Sequence, residues 1–89
     1  MYFAVICRDK PGALQIRKDN REAHLAYIAE TGVVFMAGPF IEDGEMHGSL
    51  VILEVADLAA AQDWAANDPY AKAGLFAESS VQEWKKVIG

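Results

Sequence analysis

The sequence predicts an α+β domain in which a four-stranded antiparallel sheet carries two helices on one face. Three observations predict it. Short runs rich in aromatic and β-branched residues alternate with two stretches of helical periodicity, in the order β-α-β-β-α-β. An Asp43-Gly44 pair, the chemistry of a tight hairpin turn, separates the two middle strand runs. The length, 89 residues, is that of one domain.

Tyr2 to Cys7 lacks any polar alternation and reads as a strand covered on both faces, ended by Arg8, Asp9, Lys10, Pro11 and Gly12. Leu14 to Glu30 has helical spacing, and Thr31 with Gly32 supplies its stop. Val33 to Ala37 is a second strand, closed by Gly38 and Pro39. The tip Glu42-Asp43-Gly44-Glu45 pairs it antiparallel with a third strand from about Ser49 to Val55. Asp57 is a good N-cap for a short helix with Leu58, Ala61, Trp64 and Ala65 on one side, ending before Asp68 and Pro69. Ser79 to Val87 reads as the last strand. This is the split βαβ order of ferredoxin-like folds.

Composition narrows the function. With 53% hydrophobic residues and a net charge of −5, the chain reads as a soluble globular domain. Eight Lys and Arg are too few for the basic face that nucleic acid requires. Cys7 is the single cysteine, so no disulfide framework or thiolate cluster is expected, which fits a reducing cytoplasm. The first apolar run is too short for a signal-peptide core, and no apolar stretch approaches the ~20 residues of a membrane span. A chain this small buries only ~60–65% of its unfolded surface, so its core is marginal alone. The first and third strands are apolar on both faces: Leu50 and Ile52 alternate with Val51 and Leu53, and one pair of helices cannot cover both sets. A homodimer is therefore expected through the open sheet face, with sheets ~10 Å apart and higher oligomers left open.

The first helical segment carries a clash of patterns. At ~100° per residue, Arg17, Arg21 and His24 fall in the same core-facing sector as Leu14, Leu25 and Ile28. Ionisable groups directed inward need a partner or a ligand, so an anion should meet that stripe. Asp68 is the leading internal candidate, because a carboxylate just past a helix C-terminus faces the negative end of the macrodipole and needs a cation nearby.

Set out this way, the chain resembles the YciI-like (YCII-related) family of small bacterial proteins. The resemblance runs over nearly the full length: Arg17, Arg21 with His24-Leu25, Gly38-Pro39 and Gly48-Ser49. It is most specific from Leu58 through Ala60-Ala61, Trp64-Ala65, Asp68-Pro69-Tyr70 and Ala73-Gly74 to Lys85-Lys86-Val87. It implies a dimeric α+β barrel built on the ferredoxin-like unit and a His and Asp pair as proposed active site, matched here by His24 and Asp68. One member of the family is a dehydrochlorinase of a chlorinated hydroxyhydroquinone. The resemblance also implies a longer segment after Gly38-Pro39, which is here reduced to Phe40 to His47.

His24 has the chemistry for proton transfer near neutral pH, and Asp68 would orient it or act as a base itself. Arg17 and Arg21 offer planar forks to a small anionic ligand, or pair with an acidic residue such as Glu54. Ser49 offers a hydroxyl from a central strand, Gly38 and Pro39 bring backbone close, and Tyr70, Trp64, Phe40 and Trp84 are core or pocket wall. Cys7, His24, His47 and Asp68 include no pair at metal-ligand spacing, so no metal or other cofactor is expected. No Gly-x-Ser-x-Gly elbow is present for a nucleophilic serine. Two functions fit: acid-base chemistry, elimination or isomerisation, on a small cyclic or aromatic acid, or a non-catalytic domain that binds a small anion or a partner.

Overall fold

The structure, a computed structural model, describes residues 1–89. Strand β1 (Tyr2–Asp9) leads into α1 (Leu14–Asp19) and α2 (Arg21–Thr31). The hairpin β2 (Val34–Glu42) and β3 (Glu45–Glu54) follows, then α3 (Leu58–Asn67), the short α4 (Pro69–Lys72) and β4 (Phe76–Trp84). The four strands form one antiparallel sheet in the order β2-β3-β1-β4, the ferredoxin-like topology. β1 and β3, the two strands without polar alternation, hold the centre of the sheet. No helix is long and apolar enough to cross a membrane.

Four elements differ from their sequence-predicted form. The expected helix from Leu14 to Glu30 is two helices, because Asn20 leaves helical geometry (φ −108°, ψ 5°) and its side-chain amide donates to the Ile16 carbonyl, competing with the backbone. Gly38 and Pro39 do not close the second strand, which runs on to Glu42; β2 is an edge strand, where a missing N–H costs no ladder bond. Phe40 to His47 is accordingly not a loop. It consists of two strand ends joined by Asp43 (φ 50°) and Gly44 (φ 78°), the positive pair of a two-residue hairpin turn. Pro69 begins α4 instead of a loop, Gly74 (φ 73°) ends that turn, and the last strand starts at Phe76 and stops at Trp84. The Asp57 cap forms as expected, its carboxylate accepting from the Ala60 N–H at 2.8 Å.

Alternation along the strands separates two faces. Phe3, Val5, Cys7, Val51 and Leu53 point to the helices and build the core with Ala61 and Trp64. The intervening Ala4, Ile6, Leu50 and Ile52 point the other way, joined there by Met36 and Phe40 of β2 through their pairing with Ile52 and Gly48. Trp84, opposite Tyr2, is 37% exposed at the rim of this outer face and is not core. Phe40 lies under the Arg8 guanidinium, 4.4 Å from its ring centroid. Leu58, placed by its spacing on the buried side of α3, is likewise exposed, while Ala61 and Trp64 are buried. A second, smaller core of Ala13, Tyr70 and Leu75 ties the start of α1 to α4.

Candidate active site

Two buried hydrogen-bonded pairs meet at the junction of α1, α2 and α4. His24, on α2, places Nδ1 2.8 Å from Oδ1 of Asp68. The same carboxylate oxygen accepts the Tyr70 N–H at 2.9 Å, so Asp68 caps α4 while it holds the imidazole. Pro69 makes this possible: it keeps Asp68 extended (φ −60°, ψ 129°) between two helices, and the carboxylate that looks misplaced at the end of α3 is well placed at the start of α4. With Nδ1 committed to a carboxylate, Nε2 is the nitrogen left for chemistry.

The second pair is Arg17 with Asp9. The Arg17 Nε and Nη2 donate to the two Asp9 oxygens at 2.7 and 2.8 Å, a bidentate bond. Asp9 lies at the β-bulge where the β1–β4 pairing shifts register. Glu54, the acid first considered for this role, sits elsewhere, opposite Tyr2 on the sheet. Burial works against the Arg17 charge, but the hydrogen bonds and charge of Asp9 outweigh it and hold the guanidinium above its usual pKa.

Tyr70 lies between these pairs. Its ring stacks on the His24 imidazole, centroids 4.0 Å apart and planes 15° from parallel, and the Arg17 guanidinium lies 4.7 Å from the ring centroid. Burial pushes the phenol pKa up, and the charges of Arg17 and Arg21 offset that only in part, so the hydroxyl is protonated at neutral pH.

These groups wall a cleft of about 190 Å³ between α2 and the β2–β3 side of the sheet. Arg17, Arg21, His24 and Tyr70 line one side; Ala37, Gly38, Pro39, Ser49 and Val51 line the other, with Leu25, Ile28 and Met46. Ser49 is buried on β3, between Cys7 of β1 and Pro39 of β2, and shares the inward face with Val51. Gly38 pairs with Leu50, so it reaches the cleft by its backbone alone. Arg21 is exposed and has no acidic partner within the protein. All eight residues expected at the site therefore come together, Asp68 through its contact with His24. Of the two roles open to Arg17, its fork takes the acidic partner, which is Asp9 and not Glu54. Asp9 is the residue that sequence reasoning missed. Its one signal is an acidic residue ending a strand just before an inward-facing arginine.

Outside the cleft, Cys7 is buried in the core, and burial raises its thiol pKa despite its 3.5 Å contact with the Ser79 hydroxyl. No three of the His, Cys, Asp and Glu side chains are grouped so as to hold a metal ion.

Comparison with known proteins places this geometry in context. Residues 1–85 match the YCII-related domain. An uncharacterized protein of Haemophilus influenzae is 38% identical and the Escherichia coli protein YciI 36% identical, each over 99% of this chain and the whole of the relative. Among solved structures, the 5-chloro-2-hydroxyhydroquinone dehydrochlorinase of Burkholderia phenoliruptrix, in complex with 2,5-dihydroxybenzoquinone, is 38% identical. It superposes with a TM-score of 0.86 over 96% of this chain and 94% of its own. An antibiotic biosynthesis monooxygenase structure shares the fold at 15% identity, with a TM-score of 0.62 over 99% of this chain and 100% of its own. With the family's domain spanning nearly the whole sequence and full-length relatives above one-third identity, the chain belongs to the YCII-related family.

Proposed function

We propose that this protein is a cytoplasmic enzyme that carries out cofactor-free acid-base chemistry, elimination or isomerisation, on a small cyclic or aromatic acid. His24 moves the proton through Nε2, Asp68 fixes the ring and stabilises the imidazolium, and Arg21 holds the substrate's negative charge. One observation carries this reading: an imidazole oriented by a buried carboxylate at 2.8 Å faces a cleft whose one unpaired charge is the Arg21 guanidinium. A carboxylate behind a histidine raises the ring's competence as a base without taking the proton itself. The cleft volume of about 190 Å³ suits a single ring, since an apolar cavity of ~150 Å³ accepts benzene. The dehydrochlorinase, 38% identical, supports a substrate of that size.

The experiment is a panel of hydroxylated and chlorinated aromatic acids, with 2,5-dihydroxybenzoquinone as a binding probe, assayed for turnover and thermal shift. Turnover lost in His24→Ala, with the probe still bound, is the expected outcome. A thermal shift without turnover across the panel in both proteins would instead make the cleft a small-anion binding site. A second copy of the chain is the proposed partner for the outer sheet face, where Ile6, Leu50, Ile52 and Met36 lie together.

A further inference from the structure

The Tyr70 hydroxyl has an unusual set of neighbours. Tyr27, the other tyrosine against the helices, donates its phenol to the Trp64 carbonyl at 2.8 Å, as a packing tyrosine does. No acceptor in the protein takes the Tyr70 proton. Arg17, over the Tyr70 ring, and Arg21 line the same cleft, and a guanidinium has donors only, while Asp68 bonds the Tyr70 backbone N–H and His24 instead of the hydroxyl. The phenol proton therefore has no partner among the groups around it. All enclosed side-chain polar atoms of this protein have partners, so the oxygen opens on the cleft. An unused donor beside a guanidinium calls for an acceptor that arrives with the cleft's contents.

We infer that Tyr70 is a second ligand-touching residue of this site, donating its phenolic hydrogen bond to an oxyanion of the bound ring while Arg21 supplies the countercharge. This rests on the acid-base reading above and adds to it the group that meets the developing charge. When His24 Nε2 removes a proton from a ring carbon, the electron pair of that C–H bond passes into the conjugated system and onto an attached oxygen. The proton stays on His24, and the new oxyanion accepts the Tyr70 hydrogen bond. Donors already in place where charge develops are an effective form of catalysis. The stack that holds Tyr70 parallel to His24 at 4.0 Å keeps acid and base on one rigid unit. Arg17, neutralised by Asp9, supports the other side of that unit without competing for the ligand's charge.

Two variants test this. In Arg21→Ala the phenol titration of Tyr70, followed by the NMR signal of its ring carbon Cζ, should move to higher pH, because a cation facing the hydroxyl has been removed. An unchanged titration overturns the inference without reference to any ligand. Tyr70→Phe keeps the ring, the His24 stack and the Arg17 contact, and it removes one hydrogen bond to an anion. Affinity for 2,5-dihydroxybenzoquinone should fall about tenfold or more, with the melting temperature nearly unchanged. Wild-type affinity in Tyr70→Phe, with affinity still lost in Arg21→Ala, would remove Tyr70 from the site and leave the acid-base reading standing. A wild-type protein that ignores the probe would overturn both.

Discussion

As a neutral ring His24 donates from Nδ1 only when its proton sits there, and a carboxylate at 2.8 Å favours that tautomer. We expect the nitrogen shifts and couplings of the His24 ring to report the Nδ1–H tautomer at alkaline pH. Asp68→Ala should restore a mixture dominated by Nε2–H, and a ring already Nε2-protonated in the wild type would break the proposed roles. The two arginines are expected to behave oppositely. Removing Arg17 strands a buried Asp9 carboxylate, so Arg17→Ala should cost about 3–5 kcal/mol in denaturant unfolding. Arg21→Ala, at an exposed position with no acidic partner, should stay within ~0.5 kcal/mol of wild type while weakening ligand binding. Equal stability losses in the two variants would contradict this division of labour. Spacing placed the three basic residues on one side; the structure buries Arg17 and His24 but leaves Arg21, like Leu25 of the same expected stripe, exposed, because the helix is broken at Asn20. Spacing did not show which acid meets which base, because Asp9 reaches α1 from a bulge at the end of β1 and Asp68 reaches α2 from a proline-initiated turn 44 positions on.

At the scale of elements, the site depends on how closely β1 and β3 approach. Gly48 faces the backbone of Cys7, and a Cβ at position 48 would collide with the Cys7 carbonyl oxygen. Backbone cannot yield as a flexible side chain does, so Gly48→Ala should lower stability by about 1–3 kcal/mol through strand displacement and should disturb the adjacent Ser49. A crystal structure or amide exchange across β1 and β3 would check it. Asp57→Ala should cost about 1 kcal/mol, the ordinary value of an N-cap, and leave the cleft unchanged. The Asp57 cap and the Asp43-Gly44 turn were legible because both are local chemistry. The division of the first helix at Asn20 and the passage of β2 through Pro39 were not: the first depends on one side-chain bond to Ile16, and the second on β2 lying at the sheet edge.

For the whole molecule, alkaline pH is a direct probe of burial. Burial raises the pKa values of Cys7, Tyr70 and Tyr27 above those of the unfolded chain. The folded state therefore keeps protons that the unfolded state releases. The associated stability is full below the unfolded thiol value of ~8.5 and is lost as pH rises through the folded values. Chemical denaturation from pH 7 to 11 should show that decline, and Cys7→Ala should flatten its first part. Assembly is tested by charge placement. Ile52 on the outer face and Val51 toward the helices are both buried within the single chain, so either Lys substitution should destabilise the fold, whereas Leu50→Lys, half-buried on the outer face, should yield a folded monomer where wild type sediments as a dimer. A compact wild-type monomer at low micromolar concentration would exclude the dimer.

The sequence by itself determined the βαββαβ order, the hairpin turn, the two-sided apolar character of the central strands and the placing of Arg17, Arg21 and His24 on one side, of which Arg17 and His24 are buried. Each of these is a matter of period, composition or neighbouring residues. Tertiary structure decided the rest. It paired His24 with Asp68 across 44 positions, gave Arg17 to Asp9, and laid the Tyr70 ring against His24 at the cleft wall. Partners of buried charges are chosen by which groups desolvation brings together, and that choice exists only once the helices have closed on the sheet.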